Sequence, residues 1–226
     1  MNSSGKPQDP PLHRHFRVAL AIITILHCVG LFGLNSRDYQ VPFERVTSLD
    51  LFLSFILVMY FHMPFDRRFF LFCLFAFVVG MAAEIAGVHT GDVFGIYHYT
   101  PSFGWQLMVV PLIIGVNWIL LSYISAELAA RYLRPAAFRA IAAGFVMVLI
   151  DLLLEHFAIR HHLWIWASSP PPLQNYIAWF LISIIIQAAY IRLIPDTRNI
   201  LARYYLAILL LFLAADLILS LYGRTF

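Results

Sequence analysis

Seven apolar runs leave this chain few ways to fold. They cover residues 16–34, 48–63, 69–88, 105–130, 138–156, 174–194 and 200–221. About 20 apolar residues cross the hydrocarbon layer as a helix, which satisfies its own backbone there. Charged residues make up only 12% of the chain against 62% hydrophobic, about half the charge of a soluble domain. The runs therefore predict an all-α polytopic membrane protein with about seven transmembrane helices. Residues 1–15, polar and rich in Pro and Ser, read as a disordered N-terminal tail, and 16–226 as a single transmembrane helical domain. The first run has the outline of a signal peptide, but Gly33-Leu34-Asn35-Ser36-Arg37 at its far end offers no small-x-small cleavage site, so a retained span is expected. The fourth run contains Pro111 and Gly115, which predicts a helix carrying a proline in its interior, with neighbours satisfying the freed carbonyl.

Basic residues orient the spans. Lys6, Arg14, Arg17, Arg67, Arg68, Arg131, Arg134, Arg139, Arg192, Arg198 and Arg203 fall in alternate connecting segments, eleven in all, against four (Arg37, Arg45, Arg160, Arg224) on the other side. This asymmetry predicts a cytoplasmic N-terminus. The basic residues are scattered through short loops, so the formal charge of +3 is no nucleic-acid footprint. Cys28 and Cys73 fall within apolar runs and read as packing residues.

On this map most intramembrane acids gather in the outer half. Glu84 ends span three, Asp151 and Glu155 end span five, Asp50 starts span two, and Asp216 lies in span seven. Ionisable groups in such surroundings are costly and mark function by default. Asp151 and Glu155 are four apart and share a helix face. Two carboxylates so close in low dielectric do not both ionise comfortably, so one is expected to hold its proton, unless the pair is simply capped by Arg160 and loop backbone. Small residues around Glu84 (Ala82, Ala83, Gly87) turn it toward a neighbouring helix. His89 and Asp92, beside Gly91 at the expected helix end, either relay protons from water or cap the helix. Only Glu127 maps to the inner end, with Arg131 four residues on, and reads as structural.

A faint internal repeat accompanies these acids. Pro111-Leu112 with Trp118 and Leu120, and Pro172-Leu173 with Trp179 and Leu181, both read P-L-x5-W-x-L. Each follows a helix ending in a carboxylate and an aromatic-rich outer loop. This suggests a weak parallel repeat of spans 3–4 and 5–6. Tyr97 and Tyr99 occupy positions matching Trp164 and Trp166, and their aromatic faces suit either an interfacial belt or stabilisation of a cation. Asn117, Gln174 and Asn175 hold water or one another, or pack helices.

Other chemistries find little support. Five histidines (His89, His98, His156, His161, His162) raise the question of a metal, but only His161-His162 are close, and no box of the H-x3-H or H-x2-H-H kind is present, so no metal site is expected. A retinal Schiff base needs a lysine within a span, and Lys6 is the sole lysine. No Gly-rich phosphate loop appears.

The stretch A-E-I-A-G-V-H-T-G-D-V-F-G-I-Y-H-Y-T, with Gly104-Trp105, Val110-Pro111-Leu112 and Asn117-Trp118 after it, resembles a family of integral-membrane carotenoid-biosynthesis proteins. The block D-L-L-L-E-x4-R-x3-W-I-W, then P-L-Q-N-Y-I-A-W-F, resembles that family's other signature. One departure is His156, where the family pattern has proline after the acid. The characterised members are carotenoid 1,2-hydratases of the γ-carotene 1'-hydratase and bisanhydrobacterioruberin hydratase kind.

The resemblance implies water addition across the terminal C1–C2 double bond of an acyclic ψ end group, giving a tertiary alcohol without a cofactor. An apolar carotenoid would enter from the bilayer of the cytoplasmic (inner) membrane. Membrane lipids and downstream carotenoid-modifying enzymes are the implied partners. The residues expected to act are Asp151 and Glu155 as the proton source, and Glu84 with His89 or Asp92 as the group that positions and deprotonates water. Acid and base are interchangeable at this stage. Tyr97, His98, Tyr99, Trp164, Trp166, Asn117, Asn175 and Trp179 are expected to line the substrate. A proton-driven end-group cyclase or isomerase, and a non-catalytic carotenoid or lipid binder, are the alternatives.

Overall fold

The computed structural model describes residues 11–62, 64–194 and 199–222. Seven long helices run through it: α1 (Pro11–Leu34), α2 (Gln40–Tyr60), α3 (Arg67–Thr90), α4 (Leu112–Tyr132), α5 (Ala136–Arg160), α6 (Leu173–Leu193) and α7 (Ile200–Leu221). Of the expected tail, residues 1–10 lie outside the described part, and 11–15 belong to α1. All but α2 are long and apolar enough to cross a membrane by length and composition. α2 carries Glu44, Arg45 and Asp50.

Polar contacts at two poles set an up-and-down order that includes α2. At one pole Asn35, just after α1, and Arg160 and His161, at the end of α5, all reach Asp216 near the end of α7. At the other, Asn199, just before α7, donates to the Val58 carbonyl in α2 and to Tyr123 Oη in α4. His62, just after α2, meets the same Tyr123 hydroxyl. Tyr190 late in α6 donates to Glu127 late in α4, which also accepts from the Asn199 backbone N–H. Glu127 therefore ties three helices at the arginine-rich pole, the structural role its position suggested.

Helix α4 is the hub. Its apolar window is 78% buried, against 22–33% for the other five candidate spans. It packs against α2, α3, α5, α6 and α7. Hence Asn117, Ser122, Ser125 and Glu127 face protein rather than lipid.

The fourth span starts later than its hydropathy suggests. Gln106–Leu107 (β2) and Val110–Pro111 (β3) form a two-stranded hairpin, and Pro111 precedes α4 as its N-cap. The expected interior proline is thus corrected: at the N-cap, its missing N–H breaks no helical bond. Pro172 caps α6 in the same way.

The suspected repeat is visible as a local two-fold. β1 (Tyr97–Tyr99) follows α3 and β4 (Trp164–Trp166) follows α5. They pair antiparallel, Tyr97 opposite Trp166, His98 opposite Ile165 and Tyr99 opposite Trp164. That register is what a two-fold axis through the His98–Ile165 pair generates. Below the strands Trp118 and Trp179 stack, with centroids 4.2 Å apart and planes at 19°. Two glycines permit close packing around these elements, Gly80 against Trp118 and Gly95 against Pro172. A Cβ on Gly80 would lie 2.4 Å from the Trp118 ring, and one on Gly95 (φ 107°) would lie 2.6 Å from Pro172 Cγ.

Gly80→Leu is therefore expected to push Trp118 off Trp179 and to destabilise the bundle by about 1–3 kcal/mol, the usual cost of overpacking. A lowered unfolding temperature of the purified protein in detergent, together with altered tryptophan fluorescence, checks this.

Candidate active site

The site is built where α3 and α5 end and α4 and α6 begin. The chain leaves α3 through Gly91, whose left-handed backbone (φ 73°) lets its N–H close on the Gly87 carbonyl at 2.8 Å. The returning strand β1 then lays two tyrosines over the helix it has just left. Tyr97 and Tyr99 both donate to Oε2 of Glu84, at 2.5 and 2.8 Å, and Trp118 Nε1 donates to Oε1 at 3.0 Å. Glu84 is 3% exposed, and both its oxygens are occupied. Burial, with the Glu84 carboxyl beside them, pushes the Tyr97 and Tyr99 phenols above the ordinary tyrosine range, so they remain donors.

The second half repeats the device with indoles. Trp164 and Trp166 of β4 both donate to Oε2 of Glu155, at 3.0 and 2.7 Å. Here the halves diverge. Oε1 of Glu155 has no protein partner among the described residues, and Glu155 lines a small pocket with Glu84, Phe94, Asn117, Asn175 and Trp179. One turn below, Asp151 is fully buried. Its Oδ2 accepts from Asn175 at 2.8 Å and its Oδ1 has no partner.

The pocket adjoins a larger cavity of about 160 Å³, walled mainly by apolar side chains of α1, α2, α4, α5 and α7. Ile114, Asn117, Leu154 and Trp164 line both spaces. Asn117 stands at the junction, 8% exposed.

Most expected site residues converge here: Glu84, Tyr97, Tyr99, Asn117, Asp151, Glu155, Trp164, Trp166, Asn175 and Trp179. Three do not. His89 is exposed, with Nδ1 on the Ile85 carbonyl of its own helix at 2.8 Å. Asp92 is exposed, and its backbone carbonyl accepts from Gln174. His98 sits between Tyr97 and Tyr99 but points to the other face of the strand, as strand alternation requires, and is exposed. The expectation that His89 or Asp92 handles water beside Glu84 is corrected accordingly, because the strand that covers Glu84 leaves both outside. Trp118 also belongs to the site through its bond to Glu84, and its signal in the sequence is the tryptophan shared by both P-L-x5-W-x-L segments.

Arg160 does not cap the Asp151–Glu155 pair. It donates to Asp216 Oδ1 at 3.0 Å, where His161 also lies at 2.9 Å and Asn35 at 3.0 Å. This cluster bolts α1, α5 and α7 together behind the site. Among the described residues, no three His, Cys, Asp or Glu side chains gather as a metal ion would need.

The fold and site define an integral membrane protein whose buried carboxyls and aromatic rings line a pocket beside an apolar cavity. The family model for carotenoid biosynthesis proteins matches residues 46–225, both halves of the site included, and the chain belongs to that family. No curated protein and no solved structure matches it.

Asp216→Ala is expected to destabilise the protein by about 3–5 kcal/mol, because it strands a buried arginine contact and a buried histidine. Thermal unfolding in detergent measures this, and Arg160→Ala should cost less, since Arg160 is 21% exposed.

Proposed function

We propose that this protein is a carotenoid hydratase that adds water across the terminal C1–C2 double bond of an acyclic ψ end group. The observation that carries this reading is the asymmetry between the two clamped glutamates. Glu84 spends both oxygens on protein donors, whereas Glu155 keeps one oxygen free toward a pocket that joins an apolar cavity.

Hydrating an isolated trisubstituted alkene needs an acid within reach of one carbon, surroundings that tolerate a tertiary cation, and a water for the other carbon. Glu155 Oε1 supplies the proton to C2. The two indole N–H bonds to Oε2 fix the carboxyl's orientation and take up charge as the proton leaves. The cation at C1 meets the faces of Tyr97, Tyr99, Trp164, Trp166 and Trp179, which attract positive charge. Glu84 positions Tyr97, Tyr99 and Trp118, and Asp151 with Asn175 backs Glu155 from one turn below. Water oxygen bonds to C1 and loses a proton, giving the tertiary alcohol without net oxidation.

The substrate enters from the bilayer. The protein lies in the cytoplasmic membrane with its N-terminus inside, consistent with the basic residues at the pole opposite the site. Enzymes that modify tertiary carotenoid alcohols would act next.

Expression in cells that make lycopene or γ-carotene tests the reading. The expected product is heavier than its precursor by one water. Glu155→Gln should lower its yield by about 100-fold or more, the usual contribution of a positioned acid. An unchanged carotene, or one altered without change of mass, would contradict hydration.

A further inference from the structure

Across the apolar cavity from Glu155 lies a second polar pair that the carboxyl pocket does not include. His27 of α1 is 5% exposed, and Asp50 of α2 faces it with Oδ2 3.9 Å from His27 Nδ1. Both line the cavity, together with Asn117 and Trp164 from the site wall. Nδ1 also lies 3.0 Å from the Ile23 carbonyl. A carbonyl only accepts, so Nδ1 carries the hydrogen and Nε2 holds a lone pair. Nε2 has no hydrogen-bond partner among the described residues, and Asp50 Oδ1 is buried without one. Tyr205 and Phe212 pack edge-on around the imidazole and fix its plane.

An Nε2 lone pair left without a donor on the wall of an apolar cavity is costly unless a donor visits it. The reading of the chain as a hydratase names such a donor. It also leaves a vacancy, because His89 and Asp92 lie outside the pocket and both oxygens of Glu84 are committed. We infer that His27 is the base of the reaction, holding the attacking water on the face of the alkene opposite Glu155, and that Asp50 is its positioning residue.

The step balances. Glu155 loses its proton to C2 and the C1–C2 π bond breaks. The water oxygen forms the C–O bond at C1, and one water hydrogen passes to His27 Nε2. The imidazolium so formed stands beside Asp50, which compensates its charge. The proton on His27 then returns to Glu155 through a water entering for the next turnover. α1 precedes the span shared with the family, so this base comes from the part of the chain that the family match does not cover.

The inference rests on the hydratase reading, and one assay in D2O separates the two. Purified protein is incubated with lycopene, and both the hydrated product and the recovered lycopene are weighed by mass spectrometry. The wild type should hydrate. In His27→Phe, protonation continues but water capture fails. Hydrated product should fall by about 100-fold, while deuterium still enters the recovered carotene, because a cation that has received a deuteron at C2 re-forms an alkene by losing a hydrogen from C2 or from a C1 methyl. Glu155→Gln should lose both signals. Asp50→Asn should lose hydration in part, and Asp50→Glu should restore most of it, a rescue that a merely space-filling role would not show. Retained lycopene absorbance confirms an intact cavity, and His27→Gln, with the same expected pattern, replaces the phenylalanine variant if that one loses pigment. Near wild-type hydration by the His27 variant, or parallel loss of hydration and deuterium exchange in a pigment-retaining one, overturns the role of His27. A wild type that yields neither hydration nor exchange overturns the hydratase reading itself.

Discussion

Everything near the site depends on how two buried glutamates are held. Each sits near the end of a long apolar helix and each receives two hydrogen bonds on one oxygen from the strand that follows. A bond to a charged group contributes about 1.5–3 kcal/mol, and an unpaired buried carboxyl costs more than that. The donors come from alternate residues of one strand face, Tyr97 and Tyr99 or Trp164 and Trp166. A strand is thus the local structure that can deliver both. The pairing of β1 with β4 then locks the two clamps to each other, and with them the ends of four helices.

This arrangement turns a near-symmetric scaffold into an asymmetric site. Trp118 and Trp179 stack on the pseudo-axis, but the Trp118 indole reaches Glu84 and so fills that carboxyl's second oxygen. Glu155 is left with one oxygen toward the pocket. One carboxyl is committed to protein donors through both oxygens and the other keeps an oxygen toward the pocket, although both sit in the same kind of clamp. The large cavity extends this asymmetry, since it opens beside Trp164 and Leu154 of the Glu155 half and runs toward α1 and α2.

Much of this was legible in the sequence because membrane folding is dominated by hydropathy and by the cost of buried charge. Seven runs gave seven helices, and the acids that fall near the ends of spans three and five did converge. The matched aromatic pairs and the P-L-x5-W-x-L segments were legible as a repeat, since each half needs the same clamp. Four features were hidden. Pro111 looked like an interior residue because the hairpin before α4 is itself apolar. His89 and Asp92 looked active because spacing along the chain does not show that β1 would cover Glu84 and exclude them. Arg160 offered itself as an alternative cap for the Asp151–Glu155 pair, when its partner, Asp216, lies 56 residues away. Long-range partners of this kind follow from packing, which no local pattern carries. His27 went unnoticed for the same reason, as nothing in α1 announces that α2 and α7 will fold a cavity against it.

Isotopes test most directly whether a carboxyl of this protein promotes the addition of water to a carbon–carbon double bond. Purified protein given an acyclic carotene in D2O enriched in ¹⁸O should form a tertiary alcohol with ¹⁸O at C1 and one non-exchangeable deuterium at C2. Oxygen drawn from O2 instead of water, or an alcohol without deuterium at the neighbouring carbon, would contradict the account.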